Sequence, residues 1–299
     1  MANKEMMEAT YGKAPELDLS KIKNLKAAKQ DMGETLAGKI ETETKKAKKN
    51  KFCFTEEHEI QLPSNGVLYR DTEDSGIRTG LIRIQPMSLA DEENLSNQSY
   101  IKNGTVFTKL LSNCVLSNIN VKKLLPYDVY YLIYALRRIT YGDDYKFDIT
   151  CPECGKKFEY VLNVSDVSFD ELDKDLDIKP EATIKLPVSK YTVRIRYSQI
   201  GDEEEVYRLS KIPQNEDRGD LILNYVARTM EIIDDDGEPL LPKDYPDFYE
   251  ALPGRDRVEI SKHFEKIDNL TIPTVTAVCP KCGNEFEFSI PFNKEFFRY

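Results

Sequence analysis

Cys151-Pro152-Glu153-Cys154-Gly155, followed by Phe158, Tyr160 and Leu162 in alternation, returns in near-copy as Cys279-Pro280-Lys281-Cys282-Gly283, followed by Phe286, Phe288 and Ile290. Two thiolates on a tight turn can share one metal ion, and a glycine after the second cysteine permits the backbone angles that such a turn needs. One turn supplies half of a tetrahedral site. Because each copy feeds an alternating strand, the two can lie as facing hairpins and bring four sulfurs to one Zn2+. The reading is a single structural zinc ribbon with Cys151, Cys154, Cys279 and Cys282 as ligands, residues 155 to 278 being an insertion whose ends the metal staples together. Closed coordination leaves no position for a substrate water. Soft sulfur ligands also suit an iron-sulfur centre, and a lone C-x-x-C can be a dithiol redox pair. Neither of these explains why turn and strand occur twice.

The 299 residues suffice for a core that needs neither metals nor disulfides, so any zinc clamps a local module. No basic start with an apolar run and no stretch of eighteen apolar residues occurs, which argues against secretion and membrane spanning and for a reducing cytosol. There, cysteine pairs are metal ligands or redox groups. The two single cysteines, Cys53 and Cys114, sit among apolar neighbours and read as small buried hydrophobes. A formal charge of -10 disfavours non-specific binding to a phosphate backbone. The 17 Tyr and 13 Phe supply amphipathic surface for a core or an interface.

Working outward, residues 1–56 are rich in Lys, Glu, Ala and Thr with few large apolar side chains, and read as an extended or flexible arm. Residues 57–150 read as an N-terminal α+β region. Within it, Leu62 to Gly66 is a strand end and turn, and Gly80 to Ile84 a short strand. Ser88, with Asp91 three residues on, caps a helix expected to reach about Gln98; Val106 to Leu116 is a second helix. The clearest helix starts near Pro126 and Asp128, with Val129, Leu132, Ile133, Leu136 and Ile139 on one face. Tyr130, Tyr131, Tyr134, Arg137 and Arg138 share its other faces, as interface material or as ordinary packing.

The ribbon halves are 151–162 and 272–292, and 163–271 is the inserted α+β lobe. Thr183 to Leu186 and Tyr191 to Tyr197 flank Pro187 to Lys190 as a hairpin. A helix is expected over 216 to 232, from Leu223, Val226, Ala227, Met230 and Ile233, ending before Asp234-Asp235-Asp236-Gly237. That acidic run fails the calcium-loop pattern, since Ile232 stands where the first oxygen ligand belongs, and reads as a solvated turn. A helical turn at Asp247 to Leu252 and a helix from Arg255 to Ile267 follow. The fold class is thus α+β, a mixed small-sheet and helical body with a zinc ribbon interrupted by an α+β insertion. Catalysis has little support: His58 and His263 sit in no nucleophile or zinc-protease pattern, and no Gly-rich phosphate loop occurs.

Leu62-Pro63-Ser64-Asn65-Gly66, the helix from Leu125-Pro126-Tyr127-Asp128 through Leu136-Arg137, Thr140-Tyr141-Gly142 and the Cys151 knuckle come in one order. Glu250-Ala251-Leu252-Pro253, the Cys279 knuckle and a terminus with Glu295-Phe296-Phe297 follow them. Over roughly residues 57 to 299, this succession resembles the baseplate hub subunit and hub-assembly family of T4-like contractile-tailed bacteriophages. The resemblance implies non-enzymatic work in tail construction: a virion structural or assembly protein of the baseplate, present in host cytoplasm during assembly and contacting other tail and baseplate proteins. No membrane and no small-molecule substrate are expected, and nucleic acid is disfavoured. The alternative is a zinc-ribbon adaptor that binds nucleic acid through the basic arm (Lys45, Lys46, Lys48, Lys49) and Arg194, Arg196, Arg137 and Arg138.

Overall fold

Period-two alternation opens the described chain. In the computed structural model, the described residues are 56–70, 77–268, 270, 273–290 and 294–297, all within one unit running from Thr55 to Tyr299. The arm, apart from Glu56, lies outside the described residues, and with it Cys53 and the Lys45 to Lys49 run. Strand β1 (His58–Gln61) pairs antiparallel with β2 (Leu81–Ile84), Ile60 opposite Ile82. The turn after β1 needs a glycine at Gly66, where φ is +73° and a Cβ would stand 2.4 Å from the Arg78 carbonyl oxygen.

At α1 (Leu89–Leu95), the Ser88 N–H donates to the Asp91 carboxylate at 2.9 Å, as the capping pattern predicts. The helix stops short of Gln98 because the Asn97 side chain accepts from Ser99 N–H at 3.0 Å and starts a new helix, α2 (Gln98–Lys102). Helix α3 (Val106–Cys114) likewise ends before the expected Leu116, since Val115 turns extended and bridges Ile84. Helix α4 (Pro126–Tyr141) takes proline at its first position, where no N–H is needed, and buries Val129, Leu132, Ile133 and Leu136 completely.

Two hairpin strands follow, β3 (Asp144–Thr150) and β4 (Lys157–Asn163), and then the elements between the two cysteine knuckles. Strands β5 (Glu181–Lys185) and β6 (Thr192–Arg196) form the expected hairpin. Next come α5 (Asp202–Ser210) and α6 (Asp220–Arg228). Helix α6 covers only part of the helix expected over 216 to 232: Gly219 precedes its first turn, and Thr229–Ile233 is β7, third strand of the sheet β5-β6-β7. Met230 and Ile233 match helical steps by position alone. Thr229, Ile232 and Ile233 are β-branched, and Ile232 pairs with Val193, so ladder pairing overrides the helical period. Helices α7 (Tyr245–Glu250) and α8 (Gly254–Asp268) and strands β8 (Thr274–Val278) and β9 (Glu285–Ser289) complete the order. In the first turn of α8, the buried Asp256 carboxylate accepts from Val188 N–H and Ser189 N–H, both at 2.8 Å, and so holds the β5–β6 turn against the helix. No helix among the described residues is long and apolar enough to cross a membrane.

A buried polar knot fixes the start of α4. The fully buried Asp128 carboxylate accepts from Tyr69 Oη at 2.6 Å and from Ser64 N–H at 3.1 Å, while Tyr69 Oη accepts from Leu125 N–H at 2.7 Å. Burial pushes the Asp128 carboxyl up from 3.8 to about 6, against the lowering effect of the Tyr69 and Ser64 hydrogen bonds. The folded chain therefore holds a proton that the unfolded chain releases. This contribution to stability is present in full below pH 3.8 and is lost as pH rises through about 6. We expect the stability difference between wild type and Asp128→Asn, from urea unfolding at fixed ionic strength, to fall by roughly 3 kcal/mol between pH 3.5 and 7. A difference that does not vary with pH would remove Asp128 as the titrating group.

Candidate metal centre

The two knuckles are the turns of two hairpins. In the first, β3 and β4 pair from Asp144↔Asn163 to Thr150↔Lys157; in the second, β8 and β9 pair from Thr274↔Ser289 to Val278↔Glu285. Each turn closes with the same two backbone bonds. Cys151 N–H donates to Lys156 O at 3.0 Å and Gly155 N–H to Cys151 O at 3.0 Å; Cys279 N–H donates to Asn284 O and Gly283 N–H to Cys279 O, both at 2.9 Å. Gly155 and Gly283 have φ of +66° and +71°, the left-handed conformation the sequence reading required of them. The repeated sequence is a repeated structure.

The hairpins meet face to face, and their four sulfurs lie within 4.8 Å of one another. Cys151 Sγ is 3.7 Å from Cys282 Sγ, and Cys154 Sγ is 3.7 Å from Cys279 Sγ. Interchanging the first and second knuckles exchanges these two pairs. The edge of a thiolate tetrahedron with metal–sulfur bonds of ~2.3 Å is ~3.8 Å, so the spacing suits a shared divalent ion and far exceeds the ~2.05 Å of a disulfide. Cys151 and Cys279 are buried, Cys154 is half-buried and Cys282 is exposed. Burial alone would raise the Cys279 thiol, but N–H groups of Cys282 and Lys281, with the Cys282 and Cys154 thiols, bring it down to about 6. For Cys282, the Asn284 N–H lowers the thiol, while burial and the other three cysteines more than reverse that and push it up to about 12. Four thiolates at this spacing repel, and a bound cation is what lets all four ionise together.

Behind the sulfurs an apolar face joins the hairpins. Phe288 meets Phe147 at 5.8 Å and Tyr160 at 5.3 Å, and Tyr160 Oη donates to the Thr276 carbonyl at 3.1 Å. The sequence reading did not assign β3, although Tyr145, Phe147 and Ile149 alternate there as a strand does. It also offered Arg137 and Tyr134 as interface material, and the structure buries both. Arg137 donates to Gly142 O at 2.8 Å and Asp144 O at 2.7 Å, which sets the exit of α4 into β3. Tyr127, Tyr131 and Tyr134 surround Phe169 at 5.4, 5.1 and 5.3 Å, and Tyr134 also meets Phe296 at 5.5 Å. Tyr130 packs edge-on against Phe107 at 6.4 Å.

The remaining candidates stand apart from the cluster. Cys114 is buried alone, its thiol pushed up to about 12 by burial and the Asp91 charge. His263 Nδ1 lies 3.0 Å from the Glu259 carbonyl of its own helix, and His58 lies in β1. The four arginines proposed for nucleic acid all have partners: Arg137 the two carbonyls above, Arg138 Asp143 at 2.7 Å, Arg194 Glu181 and Glu231 at 4.0 and 3.9 Å, and Arg196 Asp202 at 3.0 Å. Asp234 uses its carboxylate on Asp236 and Glu238 N–H, at 3.0 and 2.8 Å, and so closes a turn.

A family model described as T4 bacteriophage base plate protein matches residues 55–298 of the chain. No curated protein and no solved structure matches it.

Hydrogen bonds from a buried cation to carbonyls contribute about 1.5–3 kcal/mol each, so we expect Arg137→Met to lose roughly 3 kcal/mol or more in urea unfolding. Arg137→Lys should recover less than half, because an ammonium lacks the fork that spans both carbonyls. A loss below about 1 kcal/mol for the Met variant would show that α4 and β3 are held by other contacts.

Proposed function

The chain belongs to the T4 bacteriophage base plate protein family, and on that premise we propose that it is a structural or assembly component of a contractile tail baseplate, acting at the hub and during assembly in host cytoplasm. It works by holding neighbouring tail proteins and makes or breaks no covalent bond. The family match over almost all of the chain beyond the arm carries this reading. Cys151, Cys154, Cys279 and Cys282 hold one structural Zn2+, and the 3.7 Å sulfur pairs on two matching turns support it. Four protein sulfurs leave no open coordination position. The metal then staples the ends of the lobe at 163–271, giving a neighbouring subunit a preorganised surface in place of two independently moving halves. The four paired arginines give the nucleic-acid reading no support.

Freshly purified protein is expected to carry about one zinc per chain by elemental analysis, lost in Cys282→Ser and kept in Cys114→Ser. Metal-free protein with the four cysteines paired as disulfides would defeat the zinc reading. The functional reading is tested by purifying tail intermediates from phage-infected cells through a tag on this chain. Baseplate proteins should co-purify in fixed ratio, and repeated isolation without any tail protein would count against it.

A further inference from the structure

The sequence contains two Asn-Gly pairs, Asn65-Gly66 and Asn103-Gly104, and the fold treats them differently. An asparagine followed by glycine is open to attack by the next backbone nitrogen on its own carboxamide, because glycine sets no side chain in the way of the five-membered ring. Closure requires the carboxamide to turn until Cγ meets that nitrogen, so the side chain must be free to move.

Asn65 is tied at both ends. Its Nδ2 donates to Leu172 O at 2.7 Å, and its Oδ1 accepts from Gln61 Nε2 at 3.1 Å. Gly66 is pressed against neighbouring backbone, a Cβ there standing 2.4 Å from Arg78 O and 2.7 Å from Gly80 N, so this pair has no room to rearrange. Asn103 has neither restraint. It ends the five-residue helix α2, and its carboxamide makes no hydrogen bond to another described residue. It lines an open cavity of about 510 Å³ together with Lys122, Tyr207, Arg208 and Lys211. The attacking nitrogen is weakly held, since Gly104 N–H donates to Ile101 O at 3.3 Å, beyond the usual range.

We propose that Asn103 is a self-modification site of the folded protein, converted to aspartate and isoaspartate through a cyclic imide with Gly104. The Gly104 nitrogen bonds to Asn103 Cγ, and the carboxamide nitrogen leaves as ammonia, taking the Gly104 amide proton. One water then opens the imide at either carbonyl. No electrons are exchanged, and solvent is the only co-reactant. The aspartyl product adds a negative charge to a cavity whose wall holds Lys122, Arg208 and Lys211. The isoaspartyl product also lengthens the main chain by a methylene where Gly104 packs on α5, a Cβ at Gly104 standing 3.0 Å from Glu203 Cβ. Nothing in this chemistry depends on the baseplate reading.

The test ages the full chain as purified, in mildly alkaline buffer made with heavy-oxygen water, so that every imide opened during incubation marks its product with one heavy oxygen. Peptide mapping by mass spectrometry should find the mark accumulating at residue 103 about tenfold or more faster than at residue 65, since freeing the Asn65 carboxamide breaks two hydrogen bonds. In urea, where the fold holds neither pair, the two rates should converge. Asn103→Gln should abolish the mark at 103, because a six-membered ring closes slowly, and leave that at 65 unchanged. Equal marking of both residues in the folded chain, faster marking at 65, or no mark at 103 overturns the proposal. A preference for 103 that persists undiminished in urea overturns it too, since flanking sequence and not the fold would then set the rate. A mark that survives Asn103→Gln would come from another residue of the same peptide and overturns it as well.

Discussion

The structure depends on two β-hairpins, far apart in sequence, meeting at one point. They form separate two-stranded sheets, so backbone ladders do not join them. What joins them is a shared aromatic face around Phe288 and a knot of four sulfurs. Loop-closure entropy grows only with the logarithm of loop length, each doubling costing about 0.6 kcal/mol, so a clamp at the loop ends can tolerate a long insertion. This is why a segment holding the sheet β5-β6-β7 and helices α5 to α8 can lie between Cys154 and Cys279 without a penalty in proportion to its length.

Helix α4 is the body to which the first hairpin is fixed. Its N-terminus is held by the buried Asp128, Tyr69 and Ser64 network, and its C-terminus by the Arg137 fork on Gly142 and Asp144 carbonyls. After the second hairpin the chain returns to the same region: Phe296 packs on Tyr134 at 5.5 Å and on Tyr145 at 5.1 Å, and is fully buried. Helix, first hairpin and chain end thus share one aromatic layer.

The four arginines read from the sequence as a nucleic-acid surface are held by carbonyls or carboxylates, and the strap from Val164 to Ile178 carries six exposed acids. In the proposed baseplate role, a metal held by the four sulfurs would add rigidity without a reactive centre.

By itself the sequence determined the paired knuckles, the glycines that turn them, the main α4 helix and the β5–β6 hairpin, because each is written in local chemistry: ligand spacing, positive φ and hydrophobic period. It also placed Ser88 and Asp91 as a cap and read the acidic run from Asp234 as a turn. Only the tertiary structure decided that Thr229–Ile233 is a strand, since the same residues fit a helical step until Val193 offers a ladder partner. Only it decided that Tyr134 and Arg137 face inward, because periodicity gives the faces of a helix without saying what covers each one. The strap from Val164 to Ile178 has no period of its own; Phe169, Leu172 and the carbonyls bonded by Tyr127 and Arg70 hold it, and such contacts between residues distant in sequence exist only once the chain has folded.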